Sequence, residues 1–248
     1  MIGDNVTIKW LKHRTGIRKL NRHPCLYETK GLELNDKGSL FADVYGKKEI
    51  RAFVGFIDLV GFSTRVAGLS PSQICDYLRP FLKGVIDETV NNRALVDKTI
   101  GDEVMFVLPD MKEDGGVPGV LRMGPILGGL HDLQRKLGVD YPYRIGLAYG
   151  NLYVDHIEGK SYREWTAIGE TVNLAKRLNS LPGAEPKGGF GGAFGALVKE
   201  ISEETFQATL NIIAGFGSQM AHMVIEDYIE LKGISSARCA IIFPKESS

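Results

Sequence analysis

Two short apolar runs, each adjoining an aspartate, most constrain what this chain can fold into. The first run spans residues 53–57 and ends at Asp58, and the second spans residues 104–108, just after Asp102. Apolar runs of this length next to glycine-containing turns predict buried strands. A carboxylate at the end of a buried strand is costly unless it binds something, and divalent cations relieve the repulsion between two such carboxylates. The pattern therefore predicts a metal pair that handles a nucleoside triphosphate.

Hydrophobic periodicity predicts how these runs are embedded. Ser70-Pro71 is an N-cap followed by proline at the first helical position, and an apolar helical face with Pro80 inside it follows, so we expect a kinked helix. Further strands are predicted at residues 95–100, 143–149, 152–157, 224–231 and 238–243, and further helices at 117–137, 170–181 and 202–214. The order corresponds to a ferredoxin-like α+β core, βαββαβ, with C-terminal additions. Residues 1–49 are expected to form a lead segment before a single domain over 50–248.

Composition excludes several classes of protein. The chain has 248 residues and 44% hydrophobic residues, with 30 Lys and Arg against 30 Asp and Glu. Zero net charge argues against a nucleic-acid or membrane-surface binder. The three cysteines form no Cys-x-x-Cys and no apolar run is long enough to span a membrane, so we expect a cytoplasmic protein without disulfides or zinc. The glycine-rich stretch at 188–195 lacks a following Gly-Lys-Ser/Thr, so it is not a Walker A loop, and a flexible connection is expected there.

Three sequence blocks together resemble the class III nucleotidyl cyclases, the catalytic domain family of adenylyl and guanylyl cyclases. The blocks are Phe-Ile-Asp-Leu-Val-Gly-Phe-Ser at residues 56–63, Lys-Thr-Ile-Gly-Asp at 98–102, and Ile-Gly-Glu-Thr-Val-Asn-Leu-Ala-Lys-Arg at 168–177. Each alone is weak, but three in family order and spacing are a strong joint signal. The resemblance implies that a nucleoside triphosphate is converted to a 3′,5′-cyclic nucleotide and pyrophosphate.

The resemblance assigns metal and phosphate roles to particular residues. It implies that Asp58 and Asp102 hold two divalent cations, Mg²⁺ or Mn²⁺, whereas a strand-end cap and a turn aspartate are the simpler alternatives. Arg144 matches a phosphate-contacting arginine, and Lys232 falls where the family places a triphosphate-binding lysine, although a strand-edge arginine and a surface lysine are open alternatives. The backbone amides after Asp58 would cradle the β- and γ-phosphates, unless this is an ordinary turn; they belong to Leu59, Val60, Gly61, Phe62 and Ser63.

The third block implies a shared active site. Asn173 would orient the ribose and Arg177 would stabilise charge on the α-phosphate in the transition state. The two lie four residues apart on one helix and so share a face, which also fits a plain solvent-facing pair. In the family, one chain supplies the metal aspartates and the other supplies these helix residues. Because this chain has both sets, a homodimer with two sites is implied.

The nucleobase is the finer question. The two family positions that read it are Lys98 and Thr166 here, a pair that permits ATP and would also serve a pyrimidine. The whole-chain organisation looks more like the stand-alone bacterial pyrimidine cyclases of anti-phage (Pycsar) systems, in which cyclic UMP or cyclic CMP activates a separate effector protein. We therefore favour UTP or CTP, with adenylate cyclase as the alternative. An inactive cyclase-homology module is a weaker alternative, because Asp58, Asp102, Asn173 and Arg177 are all present. A diguanylate cyclase is also weaker, because the first glycine of that family's Gly-Gly-Asp/Glu-Glu-Phe turn is absent here and the helix with Asn173 and Arg177 is present.

Overall fold

A computed structural model describes most of the chain from residue 49 onward. The described residues are 49–110, 119–138, 141–159, 162–181, 190–216, 221–229, 233–234 and 236–244. The predicted lead segment lies outside them except for Glu49, so its boundary with the domain stays a prediction. Within the described ranges, no helix has the length and apolar character needed to cross a membrane.

The described ranges contain eight strands and five helices. The strands are β1 (Glu49–Leu59), β2 (Leu95–Ile100), β3 (Glu103–Pro109), β4 (Tyr143–Gly159), β5 (Tyr162–Ile168), β6 (Phe190–Leu197), β7 (Ala221–Ile229) and β8 (Ala237–Pro244). The helices are α1 (Phe62–Arg65), α2 (Pro71–Asn91), α3 (Gly119–Leu137), α4 (Glu170–Asn179) and α5 (Glu203–Phe216).

The predicted ferredoxin-like core is confirmed by the sheet. Its strand order is β2-β3-β1-β4-β6-β8-β7, with β5 paired to β4 outside this path. The segment from β1 through α2, β2, β3 and α3 to β4 is the βαββαβ unit, and β1 lies between β3 and β4 with antiparallel pairing on both sides. β6 then adds to β4 in parallel, and β8 and β7 complete the predicted C-terminal additions.

Side chains of β1 alternate between the two faces of the sheet. Phe53 and Ile57 pack into a buried cluster with α2, α3 and α5, whereas Val54 and Phe56 pack into a second cluster with α4. Burying each large apolar side chain contributes about 1.5–3 kcal/mol, so the two-sided core fixes the register of β1. Because side chains alternate along a strand, Asp58 lies on the same face as Val54 and Phe56. It is therefore at the end of the sheet on the α4 face.

The start of α2 confirms the predicted N-cap. The backbone N–H of Gln73 donates to Ser70 Oγ at 3.4 Å, and the Ser70 N–H donates to Gln73 Oε1 at 2.9 Å, forming a capping box. The helix continues through Pro80 to Asn91. The kink expected at Pro80 stays a prediction.

The strand pair predicted around Gly150-Asn151 is wrong, because β4 runs through these residues without reversing. Gly150 and Asn151 pair with Ala52 and Arg51 of β1. The Asn151 N–H donates to Glu200 Oε2 at 2.6 Å, and its carbonyl accepts from Thr171 Oγ1 at 2.7 Å. These partners hold an extended backbone where the local sequence favours a turn, and the second half of β4 pairs with β5 instead.

The flexible connection predicted at 188–195 is also wrong over its described part, residues 190–195. Strand β6 lies inside the sheet between β4 and β8. A Cβ at Gly192 would come within 2.3 Å of the Ile145 carbonyl oxygen, and one at Gly195 would come within 2.9 Å of Leu178 Cδ1. The glycines therefore permit close packing of a buried strand rather than mobility.

Candidate active site

The structure brings the two predicted metal ligands together at one end of the sheet. Asp58 is the penultimate residue of β1, and Asp102 lies in the tight turn between β2 and β3. Gly101 adopts φ +62° in this turn, a conformation that favours glycine. Asp102 Oδ2 accepts a hydrogen bond from the backbone N–H of Leu59 at 3.2 Å. The second carboxylate is thus anchored to the residue that follows the first.

The two carboxylates are electrostatically coupled. Partial burial raises the pKa of Asp102 above its usual value, and the negative charge of Asp58 raises it further, while hydrogen bonds from the backbone oppose both effects. Asp58 has a positive neighbour, because Arg144 stands opposite it on β4. Arg144 Nε donates to Asp58 Oδ1 at 2.8 Å, and Nη2 donates to Oδ2 at 3.2 Å. The arginine predicted to bind phosphate is thus bound to a predicted metal ligand.

The donor set fits a hard divalent cation. Carboxylate oxygens are the ligands that Mg²⁺ and Mn²⁺ prefer, and a cation would offset the charge repulsion that raises the pKa of Asp102. The described residues contain no group of three or more His, Cys, Asp or Glu side chains that could hold a metal. Water and substrate oxygens would therefore complete the coordination, as is usual for Mg²⁺. A cation at Asp58 would share this carboxylate with the Arg144 guanidinium.

The turn after Asp58 contains the amides of the predicted phosphate cradle. The Leu59 N–H is bound to Asp102, and the Val60 N–H donates to the Pro142 carbonyl at 2.8 Å. Two of the five predicted cradle amides thus have acceptors within the protein in this structure, and the cradle stays a prediction. Gly61 has φ +71° and starts the short helix α1. The cradle proposal therefore rests on the amides of Gly61, Phe62 and Ser63.

An aromatic stack supports this turn from α2. The Phe62 ring stacks on Tyr77 with centroids 6.4 Å apart, and Tyr77 stacks on Tyr141 at 4.8 Å. The hydroxyl of Tyr141 donates to the Tyr77 carbonyl at 3.1 Å. Tyr77 and Tyr141, which lie outside the motif, thus support the turn through its Phe62 side chain.

The two predicted base-reading residues are also in contact. Lys98 on β2 donates from Nζ to Thr166 Oγ1 on β5 at 2.9 Å. The same ammonium lies 3.1 Å from Asp97 Oδ2, and Asp97 Oδ1 accepts from the Ala167 N–H at 3.2 Å. Sequence reasoning gave Asp97 no role. The sequence feature that could have indicated a role is a charged residue directly after the apolar Leu95-Val96, in a strand that is buried at this point.

Helix α4 presents Asn173 and Arg177 to solvent. Leu174, Ala175 and Leu178 of the helix are buried against the sheet, whereas Asn173 and Arg177 are exposed. Gly146 of β4 permits this packing, because a Cβ there would come within 2.2 Å of the Asn179 backbone nitrogen. Among the described residues, neither Asn173 nor Arg177 hydrogen-bonds or forms an ion pair with Asp58 or Asp102.

A further ion pair, which was not predicted from the sequence, joins α4 to the turn that contains Asp102. Lys176 pairs with Glu103, the residue after Asp102, and its ammonium lies 5.4 Å from the centroid of the Phe56 ring. Glu103 is buried although charged, so the pair neutralises it. Lys232, the predicted triphosphate-binding lysine, lies outside the described residues.

Curated relatives of this chain include uncharacterised mycobacterial proteins. No family model matches the chain. Two uncharacterised proteins of Mycobacterium tuberculosis are each 27% identical to it over 190 residues, or 74% of the chain. The matched region makes up 33% of one relative and 31% of the other. The chain therefore spans about a third of the length of these relatives.

Solved structures are similar over about four fifths of this chain. The adenylyl cyclase CyaB from P. aeruginosa superposes with a TM-score of 0.55 at 20% identity, covering 81% of this chain and 96% of that one. The guanylate cyclase domain of RhGC from Catenaria anguillulae, in complex with GTP, gives 0.56 at 18% identity, covering 81% and 100%. A rhodopsin-guanylyl cyclase core with converted specificity, in complex with ATPαS, gives 0.57 at 19% identity, covering 80% and 98%. This chain has the fold of the adenylyl and guanylyl cyclase catalytic domains.

Proposed function

We propose that this chain is a class III nucleotidyl cyclase that converts a nucleoside triphosphate to a 3′,5′-cyclic nucleotide and pyrophosphate. The observation that carries the proposal is the meeting of Asp58 and Asp102 at one end of the sheet, with the Leu59 N–H bound to Asp102. A strand-end cap or a turn aspartate would need only one carboxylate here. Two converging carboxylates, one with a raised pKa, suit cation binding.

Each residue at this edge has a distinct part in the proposed reaction. Asp58 and Asp102 would hold two divalent cations, which lower the pKa of the attacking 3′-hydroxyl and neutralise phosphate charge when bound. Arg144, released from Asp58, would contact phosphate together with the amides of residues 61–63. Arg177 would stabilise charge developing on the α-phosphate, and Asn173 would orient the ribose.

A homodimer with shared sites is part of the proposal. Asn173 and Arg177 are exposed on α4 and are not joined to the aspartates by any described hydrogen bond or ion pair, so a second copy would bring them together. Apolar side chains that could cover such a contact lie at the end of β2 and on the β4–β5 hairpin. They are Ile100, Ile157 and Ile168, which are 61%, 55% and 48% exposed. Exposed apolar groups of this kind mark partner surfaces when they are contiguous.

The proposal for the nucleobase of the substrate is narrower than the proposal for the reaction, and it rests on fewer residues. We favour a pyrimidine nucleotide, UTP or CTP, whose cyclic product would act on a separate effector protein in anti-phage signalling. Lys98 and Thr166 support a substrate whose base offers hydrogen-bond acceptors, a condition that ATP also meets. Cyclic AMP remains the alternative product.

One incubation tests the function and the base together. The protein is mixed with all four ribonucleoside triphosphates at equal concentration and Mn²⁺, and the products are identified by mass spectrometry. We expect one dominant cyclic nucleotide with equimolar pyrophosphate, and no product from Asp102→Asn. Nucleotide binding without any cyclic product from the wild-type dimer would show an inactive nucleotide-binding module instead.

A further inference from the structure

The buried carboxylate of Asp97 holds together two strands at the edge of the candidate site. Asp97 is 8% exposed, and its two oxygens face different groups: Oδ1 accepts from the Ala167 N–H of β5, and Oδ2 lies 3.1 Å from Lys98 Nζ. A buried carboxylate is retained only where its charge is balanced and hydrogen-bonded. Here the balancing charge is the lysine of the proposed base-reading pair.

Asp97 thereby restricts where the Lys98 ammonium can lie. A lysine side chain is a flexible four-carbon stem with three N–H donors at its tip. The ammonium lies 3.1 Å from Asp97 Oδ2 as an ion pair and donates to Thr166 Oγ1 at 2.9 Å, so it is held between β2 and β5. The Lys98 side chain is still 30% exposed. Its remaining donor can therefore meet a ligand from a fixed position.

The same contacts set the hydrogen-bonding character of the pair. An ammonium can only donate, so Thr166 accepts from Lys98 and keeps its own O–H for another acceptor. Lys98 and Thr166 thus both offer donors to a bound base. Such a pair suits a base that presents acceptor atoms to it.

We propose that Asp97 is a positioning residue for base recognition, which fixes Lys98 and Thr166 as a pair of donors and thereby sets the preference among nucleoside triphosphates. This inference rests on the proposed function, because it takes the nucleotide base to bind beside Lys98. Asp97 itself does not touch the substrate. It acts through the lysine that it holds.

Binding of 3′-deoxynucleoside triphosphates separates this role from turnover, because they lack the attacking hydroxyl. Affinities of the wild type and of Asp97→Asn are measured by calorimetry for all four bases in the presence of Mg²⁺. The asparagine oxygen can still accept from Ala167, but the charge that holds Lys98 is gone. We expect the ratio between the preferred and the least preferred base to fall about tenfold or more, since hydrogen bonds to charged groups are the stronger ones.

Inorganic tripolyphosphate distinguishes a positioning role from a structural one, because it has no base. Its affinity should be the same in Asp97→Asn and in the wild type. The matched control is Asp87→Asn, which removes a carboxylate paired with Lys83 on the surface of α2 and should change neither measurement. An unchanged base ratio in Asp97→Asn, or loss of tripolyphosphate binding together with base preference, would overturn the inference.

A second variant covers the case in which Asp97→Asn does not fold. Asp97→Glu keeps the charge but moves it by one methylene, so it should displace Lys98 and also weaken the base preference. A folded Asp97→Glu protein with the wild-type ratio would contradict the proposal. The wild type could show a base preference that these variants lose and yet form no cyclic nucleotide. That result would count against the proposed function alone.

Discussion

Both carboxylate oxygens of Asp58 accept hydrogen bonds from the guanidinium of Arg144, its cross-strand neighbour on β4. The distances are 2.8 Å from Nε and 3.2 Å from Nη2, and the two side chains are only 14% and 26% exposed. A two-point contact of this kind is among the stronger ion pairs in proteins. In the described structure, the arginine neutralises the carboxylate that we propose as a metal ligand, so arginine and cation compete for it.

Arg144→Ala should therefore bind Mn²⁺ more tightly than the wild type in the absence of nucleotide. We expect a gain of about tenfold, since the cation no longer displaces a charged hydrogen bond. Titration followed by the EPR signal of free Mn²⁺ measures it without any turnover. Arg79→Ala, which removes an exposed arginine from α2, is the control. Unchanged or weaker Mn²⁺ binding by a folded Arg144→Ala protein would show that the arginine does not compete with the cation.

Asp102→Asn should stabilise the metal-free protein at neutral pH. The folded-state pKa of Asp102 is raised, mainly by burial and further by Asp58, so its ionisation opposes folding. The loss of folding stability caused by the ionised carboxylate is complete at a pH above the raised folded-state pKa. It disappears as the pH falls below the ordinary pKa of 3.8. Thermal unfolding in EDTA should thus show a higher Tm for the variant at pH 7 and a smaller difference near pH 4.

The control for this measurement is Asp76→Asn, which changes an exposed carboxylate on α2. Addition of Mn²⁺ should raise the Tm of the wild type and leave that of Asp102→Asn almost unchanged. If Asp102→Asn were less stable than the wild type at pH 7 in EDTA, the carboxylate would be a structural group rather than a strained ligand.

Two inactive variants should restore activity when they are combined. Asp58→Ala removes a metal ligand, and Arg177→Ala removes the proposed transition-state group on α4. If sites are shared, a mixed dimer carries one site with both defects and one intact site. In an equal mixture, half of the dimers are mixed, so we expect about a quarter of the wild-type activity. Native mass spectrometry confirms the mixed dimers, and no recovery in their presence would rule out shared sites.

Gly192→Ala should destabilise the protein although alanine normally favours a strand over glycine. The added Cβ would lie 2.3 Å from the Ile145 carbonyl oxygen and 2.7 Å from its Cγ2, so β6 and β4 would have to separate. Overpacking of this kind costs about 1–3 kcal/mol. The same substitution at Gly128 of α3, where nothing lies within 4 Å, should instead stabilise by about 0.5–1 kcal/mol.

Urea denaturation measures both glycine variants. The midpoint should fall for Gly192→Ala and rise for Gly128→Ala, with equal slopes if only stability changes. Equal stability of Gly192→Ala and the wild type would mean that β6 is not packed against β4 as the structure has it.

The sequence by itself determined the order of the elements in the βαββαβ core and the three motif blocks. Helix α2 is one example, because the Ser70-Pro71 start and the apolar face after it are local patterns that need no partner. The βαββαβ core is another, since strand and helix periods differ within short windows of sequence. The convergence of Asp58 and Asp102 was also expected, because the resemblance implied that both hold the same two cations.

Only the tertiary structure decided how the strands pair and which side chains meet. Gly150-Asn151 favours a turn locally, but pairing with β1 keeps β4 extended. The glycines of β6 look flexible in sequence, yet they are the residues that allow neighbouring chains to approach. Asp58 and Arg144 are 86 positions apart, and Lys98 and Thr166 are 68 apart. Local patterns fix backbone preference, whereas contacts across such separations depend on the free energy of packing the whole sheet.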